Sequence, residues 1–219
     1  MRPKIKICGL TRIEEAAYLN EAAVDYAGFV FFPKSKRNLS IEQAKEIMKE
    51  LSPSIQRVAV LVSPKAEEIK RIENAGFDII QIHKELYPDT YAAAKKPLWR
   101  AINIANAKEL QKQKEKEEDG KRKENFAEED SRQKIAAYLI DGENFGSGQT
   151  FDWSAAEMVR NYVGKRSFIL AGGLNSDNIE EAIRLFTPDI VDVSSGVEGH
   201  YGKDKEKILE FVRKVRRNG

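Results

Sequence analysis

The chain has 219 residues, of which 37 are basic and 35 acidic, so its formal net charge is only +2. This near balance gives no overall field that would attract nucleic acid or an anionic membrane surface. A single cysteine excludes an internal disulfide framework and any multi-cysteine zinc site. No apolar run approaches the roughly 20 residues that span a bilayer, and the N-terminus lacks the apolar stretch of a signal peptide. The composition therefore predicts one soluble, cytoplasmic domain over residues 1–219.

Short apolar runs rich in Val, Ile and Phe recur along the chain and predict eight β-strands. Runs of this kind are typical of strands that are covered on both faces. The predicted strands are 4–8, 26–31, 57–62, 79–82, 98–102, 136–141, 168–171 and 190–193. Amphipathic segments of helical period lie between them, at 13–23, 41–51, 66–75, 89–95, 153–162, 177–186 and 203–215.

The alternation of strands and helices predicts an α/β fold with parallel strands and right-handed crossovers. A doubly wound sheet would also hold eight strands. A single-domain (β/α)8 TIM barrel fits better, because eight repeats in this length leave nothing for a second lobe. Two helix starts carry capping signals: Ser40 has Gln43 at the spacing of a capping box, and Asn175 or Ser176 precedes the helix at 177–186.

One segment interrupts the alternation where the fifth helix is expected. Residues 108–134 hold nine basic and nine acidic side chains among 27. The first helical turns are expected at 106–116, and the remainder has too little apolar surface to pack. We interpret it as a charged insert around helix 5, either a solvated helix extension or a disordered loop. Its basic run at 121–123 is cancelled by acidic neighbours, which argues against nucleic acid as a partner.

The carboxyl end of the first predicted strand carries the lone cysteine. Side chains alternate along a strand, so Lys4, Lys6 and Cys8 share the face opposite to the two isoleucines. The isoleucines suit the helix layer, which points Cys8 into the mouth of a barrel, where such enzymes keep their reacting groups. A thiol there can act as a base or nucleophile through its thiolate, or simply pack as a small apolar group.

Two further strand ends carry charged side chains. Arg37 follows the second strand and is suited to bidentate recognition of a carboxylate, or is a solvated loop charge. Asp141 ends the sixth strand beside a flexible G-S-G loop. A buried carboxyl group there can serve as a general acid, with helix capping as the alternative.

The ends of the seventh and eighth strands are rich in glycine and serine, in the motifs A-G-G-L and D-V-S-S-G-V-E. In (β/α)8 barrels these two positions often bind a phosphate through backbone N–H groups. Glycines let the backbone approach the anion, and serines add hydroxyl donors. The pair of motifs predicts a phosphate site.

Seven motifs taken together resemble phosphoribosylanthranilate isomerase, the (β/α)8 enzyme of tryptophan biosynthesis, nearly from end to end. They are K-I-C-G at 6–9, G-F-V-F at 28–31, S-K-R at 35–37, Q-I-H at 81–83, the aspartate before G-S-G-x-x-F-D-W at 141–153, A-G-G-L at 171–174 and D-V-S-S-G-V-E at 192–198. Two positions depart from the family pattern, since Phe145 and Lys84 stand where the family usually has glycine. The first could alter loop closure, and neither removes a reacting group.

The resemblance implies an Amadori rearrangement of N-(5-phosphoribosyl)anthranilate to 1-(2-carboxyphenylamino)-1-deoxyribulose 5-phosphate, without metal or organic cofactor. It implies Asp141 as the acid that opens the ribose ring and Cys8 as the base that removes the C2′ proton. Arg37 would bind the anthranilate carboxylate. The phosphate would be held by backbone at Gly172, Gly173, Ser195 and Gly196, with a hydroxyl of Ser194 or Ser195.

Some assignments stay open at this point. His83 either lines the pocket or bonds within the barrel, and Asp192 either contacts substrate or pairs with Lys4 or Lys6. Trp99 and Trp153 are expected in the core. The oligomeric state is left as monomer or homodimer.

Two alternative functions are an isomerase of histidine biosynthesis and a non-catalytic barrel scaffold. The isomerase of histidine biosynthesis would need an aspartate base on the first strand, where Cys8 stands. A non-catalytic barrel scaffold would be favoured by loss of Cys8 or Asp141, and both are present.

Overall fold

A computed structural model describes residues 2–104, 134–142 and 159–217 of the chain. The expected fifth helix at 106–116, all but the last residue of the insert at 108–134, Phe145, the G-S-G loop and Trp153 lie outside the described residues. Helical residues at 159–163 agree with the second half of the helix predicted at 153–162.

Eight parallel strands close into a barrel in sequence order, with the eighth strand paired to the first. The strands are β1 (Lys4–Cys8), β2 (Tyr26–Phe31), β3 (Gln56–Val62), β4 (Ile79–His83), β5 (Leu98–Ile104), β6 (Ile135–Gly142), β7 (Ser167–Ala171) and β8 (Ile190–Val193). Among the described residues, the strands are followed by the helices α1 (Glu14–Ala22), α2 (Ile41–Glu50), α3 (Ala66–Asn74), α4 (Pro88–Ala93), α5 (Ile179–Phe186) and α6 (Lys205–Arg217). The predicted (β/α)8 TIM barrel is confirmed.

Two hydrophobic layers hold the barrel. The larger layer lies between the strands and the helices, and Ile5 and Ile7 of β1 belong to it as predicted. A smaller cluster fills the barrel interior, where Trp99 packs edge-on against Tyr26 with ring centroids 5.0 Å apart. Trp99 is therefore a core residue, as expected. Because β1 sends Lys6 rather than an apolar side chain into this interior, a charge is buried in the barrel core.

The capping signals in the sequence predicted the start of α2 fully and the start of α5 in part. Ser40 caps α2 in a reciprocal capping box with Gln43, as predicted. Near α5, the side chain of Asn175 accepts the backbone N–H groups of Asp177 and Asn178 in the manner of an N-cap. The regular helix nevertheless begins later than predicted, at Ile179.

The last helix also begins later than its amphipathic pattern predicted. Lys203 belongs to a short antiparallel hairpin, in which Gly202–Lys203 pairs with Glu198–Gly199 after a 3₁₀ turn at Ser195–Val197. α6 starts only at Lys205. The pairing returns Lys203 to the barrel mouth, where its side chain is buried.

Candidate active site at the barrel mouth

A cavity of about 320 Å³ opens at the carboxyl ends of the strands. It brings together nine of the ten candidate site residues: Cys8, Arg37, His83, Asp141, Gly172, Gly173, Asp192, Ser194 and Ser195. Gly196, the tenth, does not line the cavity but packs against the carbonyl oxygen of Leu174, which does. Val30, Phe32, Val60 and Val62, on or after the neighbouring strands β2 and β3, give the cavity an apolar side, and Leu139 of β6 adds to its apolar lining. A pocket with one apolar wall and several convergent polar groups is suited to a small organic anion.

Cys8 ends β1 and points into the cavity, as the alternation of β1 predicted. Gly28 on the neighbouring strand makes room for it. A Cβ atom at Gly28 would lie 2.9 Å from the Cys8 Sγ and 3.1 Å from the Lys6 Nζ. The absence of a side chain on β2 therefore allows a thiol and an ammonium group to converge on one point of the barrel wall.

Lys6 and Asp192 form a buried ion pair beneath this point. The Lys6 Nζ donates to both carboxylate oxygens of Asp192 at 3.0 and 2.9 Å, and the lysine side chain has no exposed surface. Asp192 also lines the cavity. Both alternatives left open for Asp192 are thus compatible with its position, because it pairs with Lys6 and faces the space a ligand would fill.

The surroundings of Cys8 set the charge of its sulfur. Burial raises the pKa of the Cys8 thiol above its ordinary value, and the nearby Asp192 carboxylate adds to this, whereas Lys6 and Lys203 oppose it. Burial alone would lower the pKa of Lys6, but the charge of Asp192 and its hydrogen bonds to the lysine raise it, so Lys6 stays an ammonium group. In the free protein at neutral pH, Cys8 is therefore a thiol beside a permanent cation.

Asp141 lies at the end of β6, half-buried at the cavity wall, with β7 and β8 separating it from Cys8 on β1. Parallel pairing places it beside Ala171, directly before the glycines that follow β7. The carboxyl group and the thiol thus face one cavity from different strands, which suits an acid and a base acting on different atoms of one ligand.

Arg37 reaches the cavity from the loop after β2 and is held from behind. Its Nε donates to the Glu198 carboxylate, and its backbone N–H donates to the Ser35 hydroxyl. The Cγ, Cδ and Nε atoms of the Arg37 side chain lie directly over Gly9, and a Cβ atom at Gly9 would collide with them. This support fixes the guanidinium at the mouth.

Glu198 is the acceptor for three cations. Burial by itself would raise its pKa, but hydrogen bonds from Arg37, Lys203 and Lys36 lower it to about 2. Glu198 is therefore ionised at every physiological pH.

His83 ends β4 and lines the cavity. Its Nε2 lies 2.9 Å from the Gln81 Nε2, so the glutamine amide donates to the ring nitrogen. The Gln81 Oε1 is buried and has no hydrogen-bond partner among the described residues. Of the two roles left open for His83, the structure shows both a place at the cavity and a bond within the barrel.

Lys84, which follows His83, has a backbone φ of +60°. This is the left-handed region that favours glycine, because a side chain there is crowded by the backbone. The lysine at this position therefore strains the loop, but it does not line the cavity.

The loops after β7 and β8 contact each other closely. Gly172 and Gly173 have φ of +91° and +62°, which turns their backbone into the cavity wall. Gly196 packs so tightly on the carbonyl oxygen of Leu174 that no side chain fits there. The Ser194 hydroxyl donates to the carbonyl oxygen of Cys8 at 2.9 Å. Since that hydroxyl proton is already used, Ser195 is the better placed of the two serines to donate to an anion.

Three residues at or behind the cavity were not among the candidates from the sequence. Glu198 closes the D-V-S-S-G-V-E motif, and its acidic type beside an expected anion site was the available signal. Lys203 gave no signal, because its position depends on the hairpin. Gln81 stood in the Q-I-H motif, two residues before His83 on the same face of β4, and this alternation was the clue.

The described residues, 2–104, 134–142 and 159–217, contain no cluster of three or more His, Cys, Asp or Glu that could hold a metal ion. Over the same ranges, no helix combines the length and apolar character needed to cross a membrane.

The fold and the cavity define a class: (β/α)8-barrel enzymes with a polar cavity at the carboxyl ends of the strands, bounded by the glycine-rich loops after the seventh and eighth strands. The comparisons with known proteins narrow the class. The family model described as N-(5'phosphoribosyl)anthranilate (PRA) isomerase matches residues 5–214. The chain belongs to this family of isomerases of tryptophan biosynthesis.

Relatives support the assignment over nearly the full chain. The N-(5'-phosphoribosyl)anthranilate isomerase of Streptococcus mutans is 38% identical over 215 residues, covering 98% of this chain and 99% of its own length. That of a Thermoanaerobacter species is 39% identical, covering 97% and 98%. The solved structure of the Thermotoga maritima enzyme superposes with a TM-score of 0.78 at 32% identity, covering 98% and 99%.

Another solved isomerase, at 30% identity and a TM-score of 0.76, is in complex with reduced 1-(o-carboxyphenylamino)-1-deoxyribulose 5-phosphate, and the match covers 98% and 99%. The 3-hexulose-6-phosphate synthase of Salmonella typhimurium, at 15% identity and a TM-score of 0.65, shares the fold alone.

Proposed function

We propose that the chain converts N-(5'-phosphoribosyl)anthranilate to 1-(2-carboxyphenylamino)-1-deoxyribulose 5-phosphate, with Cys8 as the general base and Asp141 as the general acid. One observation supports this most: a single cavity joins Cys8 and Asp141 to Arg37 and to the glycine-rich loops after β7 and β8. Those are the four elements the reaction needs, a base, an acid, a carboxylate site and a phosphate site.

The two ends of the substrate define its orientation. The phosphate binds to backbone N–H groups at Gly172, Gly173 and Gly196 and to Ser195, near the buried ammonium of Lys203. The anthranilate carboxylate binds to Arg37, with the aromatic ring against the apolar wall. Holding both ends places the ribose between β1 and β6, and such positioning contributes a large share of the rate of an intramolecular reaction.

The reaction opens the ribose ring and then shifts a double bond, and Asp141 and Cys8 each transfer one of the protons involved. Asp141 gives a proton to the ring oxygen as the C1′–O4′ bond breaks and the nitrogen lone pair forms a C1′=N Schiff base. The Cys8 thiolate then takes the C2′ proton, and the electrons of that C–H bond form the C1′=C2′ bond of an enolamine. Protonation at C1′ and loss of the C2′ hydroxyl proton give the ketone. No electrons leave or enter, so no oxidant or reductant is required.

The charge balance at Cys8 suits this sequence. The thiol is largely protonated in the free protein because burial raises its pKa. A protonated Schiff base brings a positive charge beside it, and an adjacent cation favours the thiolate. Lys6 supplies a further cation from below. We infer that the thiolate forms in the complex, at the stage where its base is needed.

Several further assignments belong to this proposal. The chain works as a single domain over residues 1–219, acts without a cofactor, and is located in the cytoplasm with the other reactions on phosphorylated intermediates. It acts as a monomer or a homodimer.

The test is an assay that follows loss of the fluorescence of the anthranilate conjugate, with wild type, Cys8→Ser and Asp141→Asn. The wild type should turn over substrate, and both variants should lose about 10³-fold or more in kcat, since each removes a group that acts in the transition state. Glu46→Gln, on the exposed face of α2, serves as the control and should retain full activity. Full activity of Cys8→Ser would refute the base assignment.

A further inference from the structure

A second set of charged side chains lies behind the cavity and links its two ends. Its centre is the Glu198 carboxylate, with Lys36 Nζ at 3.1 Å, Arg37 Nε in hydrogen-bond contact and Lys203 Nζ at 2.9 Å. One carboxylate against three cations leaves a surplus of two positive charges. Of these residues, only Arg37 lines the cavity.

Lys203 is the most constrained member of this set. Its side chain has no exposed surface, and its Nζ donates to Ser194 twice, to the carbonyl oxygen at 3.1 Å and the hydroxyl at 3.3 Å, as well as to Glu198. Its backbone N–H donates to Glu15 at 2.8 Å, and Glu15 also accepts the N–H of Thr11 at 2.7 Å. The hairpin is thereby anchored to the loop after β1.

We propose that Glu198 and Lys203 are positioning residues that connect the carboxylate site to the phosphate site. Glu198 orients the Arg37 guanidinium, and Lys203 fixes Ser194 and with it the loop that receives the phosphate. This inference rests on the proposed function, because it assigns the two sites to the two ends of that substrate.

The geometry at Arg37 explains what Glu198 contributes. The Glu198 carboxylate engages the Nε of Arg37, and among the described residues neither Nη of Arg37 donates a hydrogen bond. The two terminal NH₂ groups therefore remain for a planar, bidentate carboxylate contact. Without Glu198, the guanidinium would rotate among several side-chain conformations, and binding would have to restrict them again.

Lys203 acts on the phosphate loop in two ways. Its hydrogen bonds set the position of Ser194, whose hydroxyl in turn donates to the carbonyl oxygen of Cys8. Its buried ammonium also adds positive charge behind the loop, close to the dianion. Burial lowers the pKa of Lys203, but Glu198 opposes this shift. Glu198 thus helps to maintain the charge of Lys203 while it holds Arg37.

A hairpin that serves only for folding is the alternative. It predicts lower stability without a selective effect on either end of the substrate. Kinetics and ligand binding separate the two explanations. A positioning residue weakens binding at one end of the substrate, which raises KM while kcat is largely kept.

The experiment compares wild type, Glu198→Ala, Lys203→Met and Arg37→Ala, with Glu46→Gln as the control and thermal melting to confirm folding. Glu198→Ala should raise KM about 10-fold with kcat within about 3-fold of wild type, because it loosens a binding group rather than a reacting one. Added to Arg37→Ala, it should raise KM by no more than about 2-fold further, since its effect passes through that arginine.

Lys203→Met should act on the other ligand end. Inorganic phosphate, used as a competitive inhibitor, should bind about 10-fold more weakly to Lys203→Met. The affinity of inorganic phosphate for Glu198→Ala should change less than the KM of that variant for its substrate.

The outcomes separate this inference from the proposed function. Two results would refute the inference alone, provided that the wild type is active. One is a KM of Glu198→Ala equal to that of the wild type. The other is that Glu198→Ala raises KM by the same factor in the wild type and in Arg37→Ala. An inactive wild type that still binds inorganic phosphate would refute the proposed function first.

Discussion

Lys6 and Asp192 form an ion pair inside the barrel, with the lysine Nζ bonded to both carboxylate oxygens at 3.0 and 2.9 Å. Parallel pairing of β1 with β8 places the two residues directly opposite each other. Asp192 faces the cavity on its other side. The buried ammonium charge of Lys6 is therefore compensated by Asp192, which also lines the cavity.

Replacing one partner of this pair should be costly. Lys6→Met leaves the Asp192 carboxylate buried without its cation, and such losses destabilise proteins by about 3–5 kcal/mol. Lys6→Met with Asp192→Leu should recover most of that loss, because no buried charge remains. Urea unfolding measures both values. Equal stability of Lys6→Met and wild type at pH 7 would contradict the account.

The pH dependence of this pair follows from the raised pKa of Lys6. A raised lysine pKa in the folded state contributes stability that is fully present below the unfolded pKa of about 10.4. That stability is lost as the pH rises through the higher folded value. The contribution of Lys6 to the difference in unfolding free energy between wild type and the double variant should therefore be constant from pH 7 to 9 and decrease in strong alkali.

Cys8 should react slowly with alkylating reagents at neutral pH. Burial raises the pKa of its thiol, and only the thiolate reacts. Because it is the only cysteine in the chain, the rate of iodoacetamide labelling of the native protein reports on this sulfur alone. The rate should rise with pH around a midpoint higher than that of free cysteine. A midpoint below that of free cysteine would show that Lys6 outweighs burial.

Gly28→Ala should impair both packing and turnover. The added Cβ would lie 2.9 Å from the Cys8 Sγ and 3.0 Å from the Cys8 Cα, which is backbone and cannot move aside cheaply. Overpacking of this kind costs about 1–3 kcal/mol, and the displaced thiol should lower kcat more than it raises KM. Melting and steady-state kinetics measure the two effects. An unaffected kcat would show that the thiol does not need this position.

Lys84→Gly should stabilise the protein without changing its activity. At a φ of +60°, a lysine pays roughly 1–2 kcal/mol relative to glycine, and the greater freedom of glycine in the unfolded chain cancels part of this gain. We expect a net gain of about 0.5–1 kcal/mol in urea unfolding. Destabilisation by this change would mean that the lysine side chain makes compensating contacts.

The sequence predicted the barrel because every strand is a short apolar run and every crossover has room for a helix. Cys8, Arg37 and Asp141 were candidates in the sequence because each lies at or after the end of a predicted strand, where a barrel has its mouth, and the structure places all three at one cavity. The contacts of Glu198 and Lys203 could not be predicted from the sequence, although the acidic type of Glu198 was a signal, and the reason is physical. Their contacts join residues up to 188 positions apart or depend on a two-residue hairpin, and an amphipathic pattern covering Lys203 indicated a helix instead.

The most direct test of the central claim measures turnover and ligand binding side by side for Cys8→Ser and Asp141→Asn. The ligand is the reduced 1-(o-carboxyphenylamino)-1-deoxyribulose 5-phosphate, titrated by calorimetry. If Cys8 and Asp141 transfer protons while Arg37 and the two loops bind, both variants should bind this ligand within about 5-fold of wild type and lose about 10³-fold or more in kcat. Retention of turnover in either variant, or a loss of binding as large as the loss of turnover, would contradict the assignment.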